Sequence, residues 1–239
     1  MSDTDFDALF KGRPGSVLGE HRDPEPATER QKLTETKIQW ACEKRQPKAR
    51  PWQQGHKPLP PGQDATVDFP VLDLGHRPLV DHRDWRLTIS GAIMRPLAWD
   101  WDAFMAAPQT TSTSDIHCVT AWSRYDNAWT GVAGKTLLDI VQPKPEAKFL
   151  IFHSHDGYTT NLPITRLAEK DAMLAHTWQN EPLAREHGGP ARIVIPSLYF
   201  WKSAKWVKHI AVLENDVPGY WETRGYHNEG DPWKQQRYT

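Results

Sequence analysis

The sequence has little cysteine and no long apolar run, and each shortage excludes a class of protein. Only two cysteines, Cys42 and Cys118, occur among 239 residues, which is too few for a disulfide scaffold or a four-thiolate zinc site. No run of about 18 apolar residues is present, so no membrane span is expected. Lysine and arginine (29) nearly balance aspartate and glutamate (30), which excludes a polybasic nucleic-acid binder and an acidic disordered chain.

Two kinds of sequence signal are also missing. The first residues lack the basic region, the apolar region and the twin arginine of an export signal, which predicts a soluble, cytoplasmic protein. Neither Gly-x-x-x-x-Gly-Lys-Ser/Thr nor Gly-x-Gly-x-x-Gly occurs, so ordinary nucleotide-binding folds lose support.

Proline and tryptophan are abundant instead. The 20 prolines and 12 tryptophans predict irregular connections fixed by large aromatic groups, which is typical of a pocket built by loops on a rigid frame. Residues 1–65 hold eight of the prolines and predict an extended segment that wraps the rest of the chain, with Trp40 and Trp52 as anchors. A helix from Thr28 to Arg45 is compatible with this region. The domain proper is expected over 66–239.

This domain is predicted to be α+β, sheet-rich and well supplied with loops, because strand and helix patterns mix without a βαβ alternation. Alternating or buried apolar runs predict strands over 85–90, 110–119, 149–152, 192–195 and 209–213. Helical patterns cover 101–107 and 135–141, and short helical pieces are expected within 162–174.

The segment with most chemical content is Asp115 to Arg124. A thiolate is a soft metal ligand and a nucleophile, and its pKa falls near positive groups or a metal, so Cys118 with His117 and Arg124 is a candidate centre. A small buried hydrophobe is the other interpretation of Cys118, and Cys42 is expected to be structural.

Two later segments could complete a site. His153 to Asn161 places polar residues directly after a buried strand, although Asp156-Gly157 also predicts a hairpin turn. His153 and His155 would point to opposite faces, which argues against a metal pair. The stretch His187-Gly-Gly-Pro-Ala-Arg192 precedes Lys202 and Lys205, so glycine amides and cations could bind a phosphate; a solvated basic face with a tight turn is the alternative.

Taken in order, these segments resemble the molybdopterin-binding domain of the sulfite oxidase family, and especially the small bacterial sulfite-oxidase-like oxidoreductases. The similarity runs from about Phe69 onward and rests on five motifs. They are Pro-Pro-Gly-Gln, His-Cys-Val-Thr-x-Trp-Ser, Gly-Tyr-Thr-Thr-Asn, His-Gly-Gly-Pro-x-Arg and Trp-Lys-Ser-Ala-Lys-Trp. The resemblance implies a sulfite-oxidase-type fold and an oxidoreductase that carries one molybdenum and one pterin without a nucleotide.

The resemblance also implies residue roles. Cys118 matches the cysteine that binds molybdenum. The positions that match the pterin and phosphate contacts are Ser154, His187, Arg192, Ser203, Ala204 and Lys205, and Asp73 is a further pterin contact. Convergent cations suit a phosphate and sulfur suits molybdenum, so the resemblance agrees with the residue chemistry.

The sequence departs from the family where the substrate is held. Sulfite oxidases have Gly-Asn-Arg after the metal cysteine, whereas this chain has Ala121-Trp122-Ser123. The pattern is closer to that of the methionine-sulfoxide reductase catalytic subunit, which has asparagine at the position of His187. With Cys118, Trp122 and Arg124 as catalytic residues, we expect oxygen-atom transfer on a small sulfur or nitrogen oxide rather than sulfite oxidation. Trp122 is expected to narrow the pocket and disfavour anions, while Arg124, His153 and His155 could favour an oxyanion.

Partners follow from the same resemblance. The substrate would be a small oxyanion, sulfoxide or N-oxide. No heme-binding cysteine pair, flavin motif or iron–sulfur cysteine set occurs, so a separate electron-carrier protein is expected, with no nucleic acid.

Two other classes remain open at this point. A cysteine hydrolase or transferase could use Cys118 as nucleophile with a histidine base, but it leaves the glycine and lysine motifs unexplained. The residues before 65 could bind single-stranded nucleic acid by stacking, which the overall neutrality disfavours. Only the molybdenum hypothesis requires stoichiometric metal.

Overall fold

Two β-sheets form most of the described structure. The computed structural model describes residues 27–45 and 57–239, and within the first range it describes side chains from residue 31. The predictions for Trp52 and for most of the segment before residue 57 lie outside these ranges.

The first sheet has six strands and carries the hairpin that contains Cys118. The strands are β1 (Asp64–Ala65), β4 (Thr110–His117), β5 (Trp122–Ala133), β8 (Met173–Trp178), β9 (Glu181–Pro182) and β10 (Arg192–Val194). The hairpin strands β4 and β5 are antiparallel, β8 and β10 extend the sheet beyond β5, and β9 pairs with β8. The short strand β1 runs parallel to the start of β5.

The second sheet has five strands in the order β3-β2-β11-β6-β7. They are β2 (Arg86–Gly91), β3 (Leu97–Asp100), β6 (Phe149–Ser154), β7 (Thr159–Pro163) and β11 (Val207–Leu213). The pairing of β11 with β2 is parallel and the others are antiparallel.

Four α-helices accompany the sheets in the described part of the chain. They are α1 (Ala27–Cys42), α2 (Trp101–Ala106), α3 (Gly134–Val141) and α4 (Ile164–Leu167). Asp100 caps α2, since its carboxylate accepts a hydrogen bond from the amide of Ala103 at 2.9 Å. Among these helices, none has the length and apolar character needed to cross a membrane.

The start of β8 and the whole of β10 are buried on both faces of the first sheet. Leu174 and Ile193 face the large core that the two sheets share with α2 and α3. Their neighbours Met173 and Val194 face a second cluster with Trp129, against which aromatic residues of the loops pack. Successive side chains of a strand point to opposite faces, so this sheet separates the core from the loop region that carries the candidate site.

The structure confirms the α+β class and most predicted elements. The predicted strands and the helices near 101 and 135 agree within a few residues, and Asp156-Gly157 forms the β6–β7 turn. The predictions missed β3, β5, β7 and β8 as well as the two-residue strands. They also assigned helical pieces within 162–174, where the end of β7, α4 and the start of β8 are found. Helix α1 is present, and Trp40 on it is half-buried. The domain boundary near residue 65 stays a prediction.

Candidate functional site

Cys118 lies in the tight loop between β4 and β5. Its amide donates to the carbonyl of Trp122 at 2.8 Å, and its carbonyl accepts from the amide of Ala121 at 3.1 Å. Ala121 has a φ of 75°, in the left-handed region, which a non-glycine residue adopts only when its surroundings impose it. The loop therefore fixes the direction of the Cys118 side chain.

A buried hydrogen-bond network supports this loop from the side. The side-chain amide of Gln63 donates to the carbonyl of Cys118 at 2.9 Å, and its oxygen accepts from the Ser123 hydroxyl at 3.1 Å. That hydroxyl also contacts Nδ1 of His117 at 2.8 Å. Burial lowers the pKa of His117 to about 4, so this imidazole is neutral at pH 7. Gln63 belongs to the Pro-Pro-Gly-Gln motif, whose role sequence analysis did not identify.

We expect Gln63→Ala to destabilise this loop. The change removes partners from two buried groups, the carbonyl of Cys118 and the hydroxyl of Ser123, and an unsatisfied buried group costs about 1–3 kcal/mol. Urea unfolding should show a loss of that size, whereas Gln31→Ala, at an exposed position of α1, should be near neutral. Equal stabilities of the two variants would contradict the supporting role.

The thiol of Cys118 is buried and has a hydroxyl partner. The side chain is 5% exposed, and Sγ lies 3.1 Å from Oγ1 of Thr120. Burial raises the pKa of Cys118, while Thr120 and the positive charges of Lys37 and Arg237 oppose that rise. Within the described residues, no imidazole is hydrogen-bonded to this sulfur, which disfavours the cysteine–histidine nucleophile hypothesis.

Cys118 faces a pocket of about 970 Å³, a volume that includes its open mouth. The predicted residues that line this pocket are Asp73, Cys118, Trp122, His187, Arg192, Ser203 and Lys205. The structure thus brings together side chains that are far apart in sequence. Ser154 and Ala204 are buried but are not lining residues. The hydroxyl of Ser154 has no hydrogen-bond partner among the described residues.

Arg192 connects the two loops that form the cationic wall of the pocket. Its guanidinium donates to the carbonyls of His187 at 2.7 Å and Ser203 at 2.8 Å, and more weakly to that of Ile193 at 3.3 Å. The side chain is 2% exposed, lies over the ring of Phe200, and has its pKa lowered by burial to about 9. Three of its five donors are occupied, which leaves capacity for an anion.

Lys205 adds a second cation to this wall. Its ammonium donates to the carbonyl of Glu186 at 2.9 Å and lies 3.7 Å from the carboxylate of Asp73. Burial, followed by the charge of Arg192, lowers the pKa of Lys205 to about 8. Asp73 is itself held by Arg77 and by the amide of Gly75, at 2.8 and 2.9 Å.

His187 forms part of the wall through stacking. Its imidazole lies 3.9 Å from the ring centre of Phe69 and nearly parallel to it, and burial, followed by the charge of Arg192, lowers its pKa to about 4. The next residue, Gly188, has a φ of 106°. A Cβ atom there would approach the side chains of Lys205 and Arg192 within 3.0 and 3.1 Å, so glycine is needed beside the two cations.

Arg124, predicted as catalytic, is not a lining residue. It lies on β5, donates to the carbonyl of Val67 at 3.1 Å and to the side chain of Asn127 at 2.6 Å, and stacks over the ring of Trp178. His153 and His155 are not lining residues either. The structure does not bring these three side chains together with Cys118.

Sequence analysis missed several lining residues. These are Leu33, Lys37, Phe69, Tyr158, Trp201, Trp221 and Tyr226, with others of the same segments. Beneath them, a buried ion pair joins Lys202 to Glu222 at 2.6 Å. The ammonium of Lys202 also donates to the carbonyls of Asn161 and Asn228, and Glu222 accepts from the indole of Trp201 at 2.9 Å. The abundance of tryptophan was the available signal, but it gave no positions.

A mixed-sheet fold in which a buried thiol and two cations line one pocket is consistent with the class of cofactor-dependent oxidoreductases. The chain belongs to the family described as oxidoreductase molybdopterin binding domain, whose model matches residues 74–221. Sulfite oxidases occur among its relatives, so the resemblance inferred from the sequence is confirmed. The protein is therefore an oxidoreductase, and its cofactor is molybdopterin.

Individual relatives place it within this family. An uncharacterized oxidoreductase, YuiH of Bacillus subtilis, is 43% identical over 182 residues, which cover 76% of this chain and 92% of that protein. A putative protein-methionine-sulfoxide reductase subunit, YedZ1 of Azospira oryzae, is 29% identical and covers 62% of this chain and 56% of that protein. The sulfane dehydrogenase SoxCD of Paracoccus pantotrophus shares the fold, with a TM-score of 0.55, 20% identity and coverage of 87% of this chain and 58% of that one.

The residues of the pocket fit this cofactor. A phosphate requires convergent cations, which Arg192 and Lys205 provide at the same pocket. Molybdenum prefers soft sulfur, which Cys118 provides in the same pocket.

Proposed function

We propose that this oxidoreductase transfers an oxygen atom to or from a small sulfur or nitrogen oxide, with Cys118 as the protein ligand to molybdenum. One observation carries the proposal: the thiol of Cys118 lines the same pocket as Arg192, Lys205 and His187. The pocket therefore combines a sulfur that suits a metal with cations that suit a phosphate. A cysteine hydrolase would leave the cationic wall without a role.

The chain's own residues bind and orient in this proposal. Arg192 and Lys205 hold the pterin phosphate, and His187 and Ser203 supply contacts to the pterin; one pterin is bound without a nucleotide. Trp122 and Phe69, whose ring centres lie 6.4 Å apart, limit the size of the substrate and exclude water. When bound, the cofactor supplies the two-electron chemistry.

The overall reaction balances with an external electron carrier. In the reductive direction an S–O or N–O bond breaks, two electrons and two protons are consumed, and the oxygen leaves as water. In the oxidative direction water supplies the oxygen, and two electrons and two protons are released. A separate electron-carrier protein supplies or removes the electrons.

A substrate panel tests the reaction. Purified, molybdenum-loaded protein would be assayed with a reduced dye on sulfoxides and N-oxides, and with an oxidised dye on sulfite. Because Ala121-Trp122-Ser123 stands where sulfite oxidases have Gly-Asn-Arg, we expect reduction of an oxide to be faster than sulfite oxidation. A tungsten-loaded preparation is the blank. Rapid sulfite oxidation without any oxide reduction would reverse this assignment of the reaction.

A further inference from the structure

Helix α1 is attached to the rim of the pocket at two points. The hydroxyl of Thr34 lies 3.1 Å from that of Tyr220. About two turns further along the helix, Ala41 is 3% exposed. A Cβ atom at Gly225 would lie 3.2 Å from the Ala41 side chain. The helix is therefore packed against the segment that carries the lining residues Trp221 and Tyr226.

This attachment places a lysine in the pocket. Leu33 and Lys37, four residues apart and so on one helical face, are lining residues together with Cys118. Burial lowers the pKa of Lys37, and the charge of Cys118 opposes that effect. Lys37 precedes residue 74, where the family match begins.

Lys37 differs from the other two cations of the pocket in having few partners. Arg192 binds three carbonyls, and Lys205 binds the carbonyl of Glu186 and approaches Asp73. For Lys37, the described residues provide the ring of Trp40, with the ammonium 3.9 Å from its centre, and no hydrogen-bond acceptor. An ammonium has three N–H donors, so Lys37 can donate to a ligand.

We propose that Lys37 is a specificity-determining residue that binds the negative charge of a small oxyanion beside Cys118. It supplies from helix α1 a positive charge in a chain that has Ala121-Trp122-Ser123 in place of the arginine-containing stretch of sulfite oxidases. The expectation from Trp122 alone, a pocket that disfavours anions, is revised accordingly. The inference deepens the proposed function and rests on it, because the oxyanion is its substrate.

Two probes of similar shape separate charge from size. Methanesulfonate carries one negative charge, whereas dimethyl sulfone has a methyl group in place of one oxygen and is neutral. Binding of each to the molybdenum-loaded protein would be followed by the broadening of its methyl NMR signal. Lys37→Met keeps the aliphatic stem and removes the charge. A charge-assisted hydrogen bond is worth about tenfold or more in affinity, so we expect methanesulfonate to bind at least about tenfold more weakly, with sulfone binding unchanged.

Two further variants make the result specific. Lys37→Arg should retain most of the methanesulfonate affinity, because it keeps the charge. Lys32→Met removes an exposed lysine of the same helix and should have little effect. Unchanged methanesulfonate binding in Lys37→Met, or an equal loss in Lys32→Met, would overturn the proposal. Molybdenum content and oxide turnover of the same wild-type preparation test the proposed function separately, since the NMR comparison does not depend on turnover.

Discussion

Replacing Cys118 with serine is expected to remove most of the oxidoreductase activity. A serine hydroxyl is a hard, neutral donor, whereas molybdenum prefers a soft thiolate. Substitution of a residue that only supports a metal ligand already lowers metal affinity or activity by about 10- to 100-fold. Loss of a direct ligand should therefore lower the activity by at least about 100-fold. Activity, molybdenum content and the thiolate-to-metal absorption band of the purified variant provide the measurement.

The other cysteine of the chain provides the matched control. Cys42 is an exposed free thiol at the end of α1, so Cys42→Ser should retain metal, absorption and activity. If Cys118→Ser kept full molybdenum with an unchanged thiolate-to-metal band, the ligand assignment would fail. The pocket would then need another protein ligand.

Arg192→Ala is expected to release the cofactor. The change removes a cation from the proposed phosphate site and leaves the carbonyls of His187 and Ser203 without their partner. Each charge-assisted hydrogen bond is worth about 1.5–3 kcal/mol, so retention should weaken by about one to two orders of magnitude. Molybdenum and pterin remaining after extended dialysis give the measurement.

Two comparisons separate loss of the phosphate contact from general unfolding. Arg83→Ala, at a side chain that is 90% exposed, should retain the cofactor as the wild type does. Dialysis is done well below the melting temperature of each variant, which thermal unfolding establishes. Wild-type retention in folded Arg192→Ala would show that this arginine only joins the loops.

The sequence predicted strands best where burial is one-sided or complete. Phe149–Phe152 and His209–Leu213 are apolar or alternating, and both form strands. Strand β5 was missed because Trp122–Ala133 mixes polar residues, a glycine and the left-handed Asp126. Its pairing with three neighbouring strands stabilises it, and such long-range pairing is not visible in a local pattern.

The site was predictable where short motifs carry chemistry. Cys118, His187 and Arg192 lie in motifs whose residue types suit a soft metal and a phosphate, and the structure places all three at one pocket. Lys37 and Gln63 were not identified, because Lys37 reaches the pocket of Cys118, and Gln63 contacts its loop, across more than 50 positions of the sequence. Packing of α1 and pairing of β1 create those contacts, and no local pattern encodes them.

The buried ion pair of Lys202 and Glu222 orders part of the pocket wall before the cofactor binds. An ion pair of this kind adds little net stability, but loss of either partner costs about 3–5 kcal/mol, because a charge is left buried alone. A state of the wall beneath Trp201 in which only one of the two charges is in place is less stable by about that free energy. This wall is therefore ordered when the chain folds rather than when the cofactor binds. Binding of the cofactor then loses less conformational entropy, which is the advantage of preorganisation.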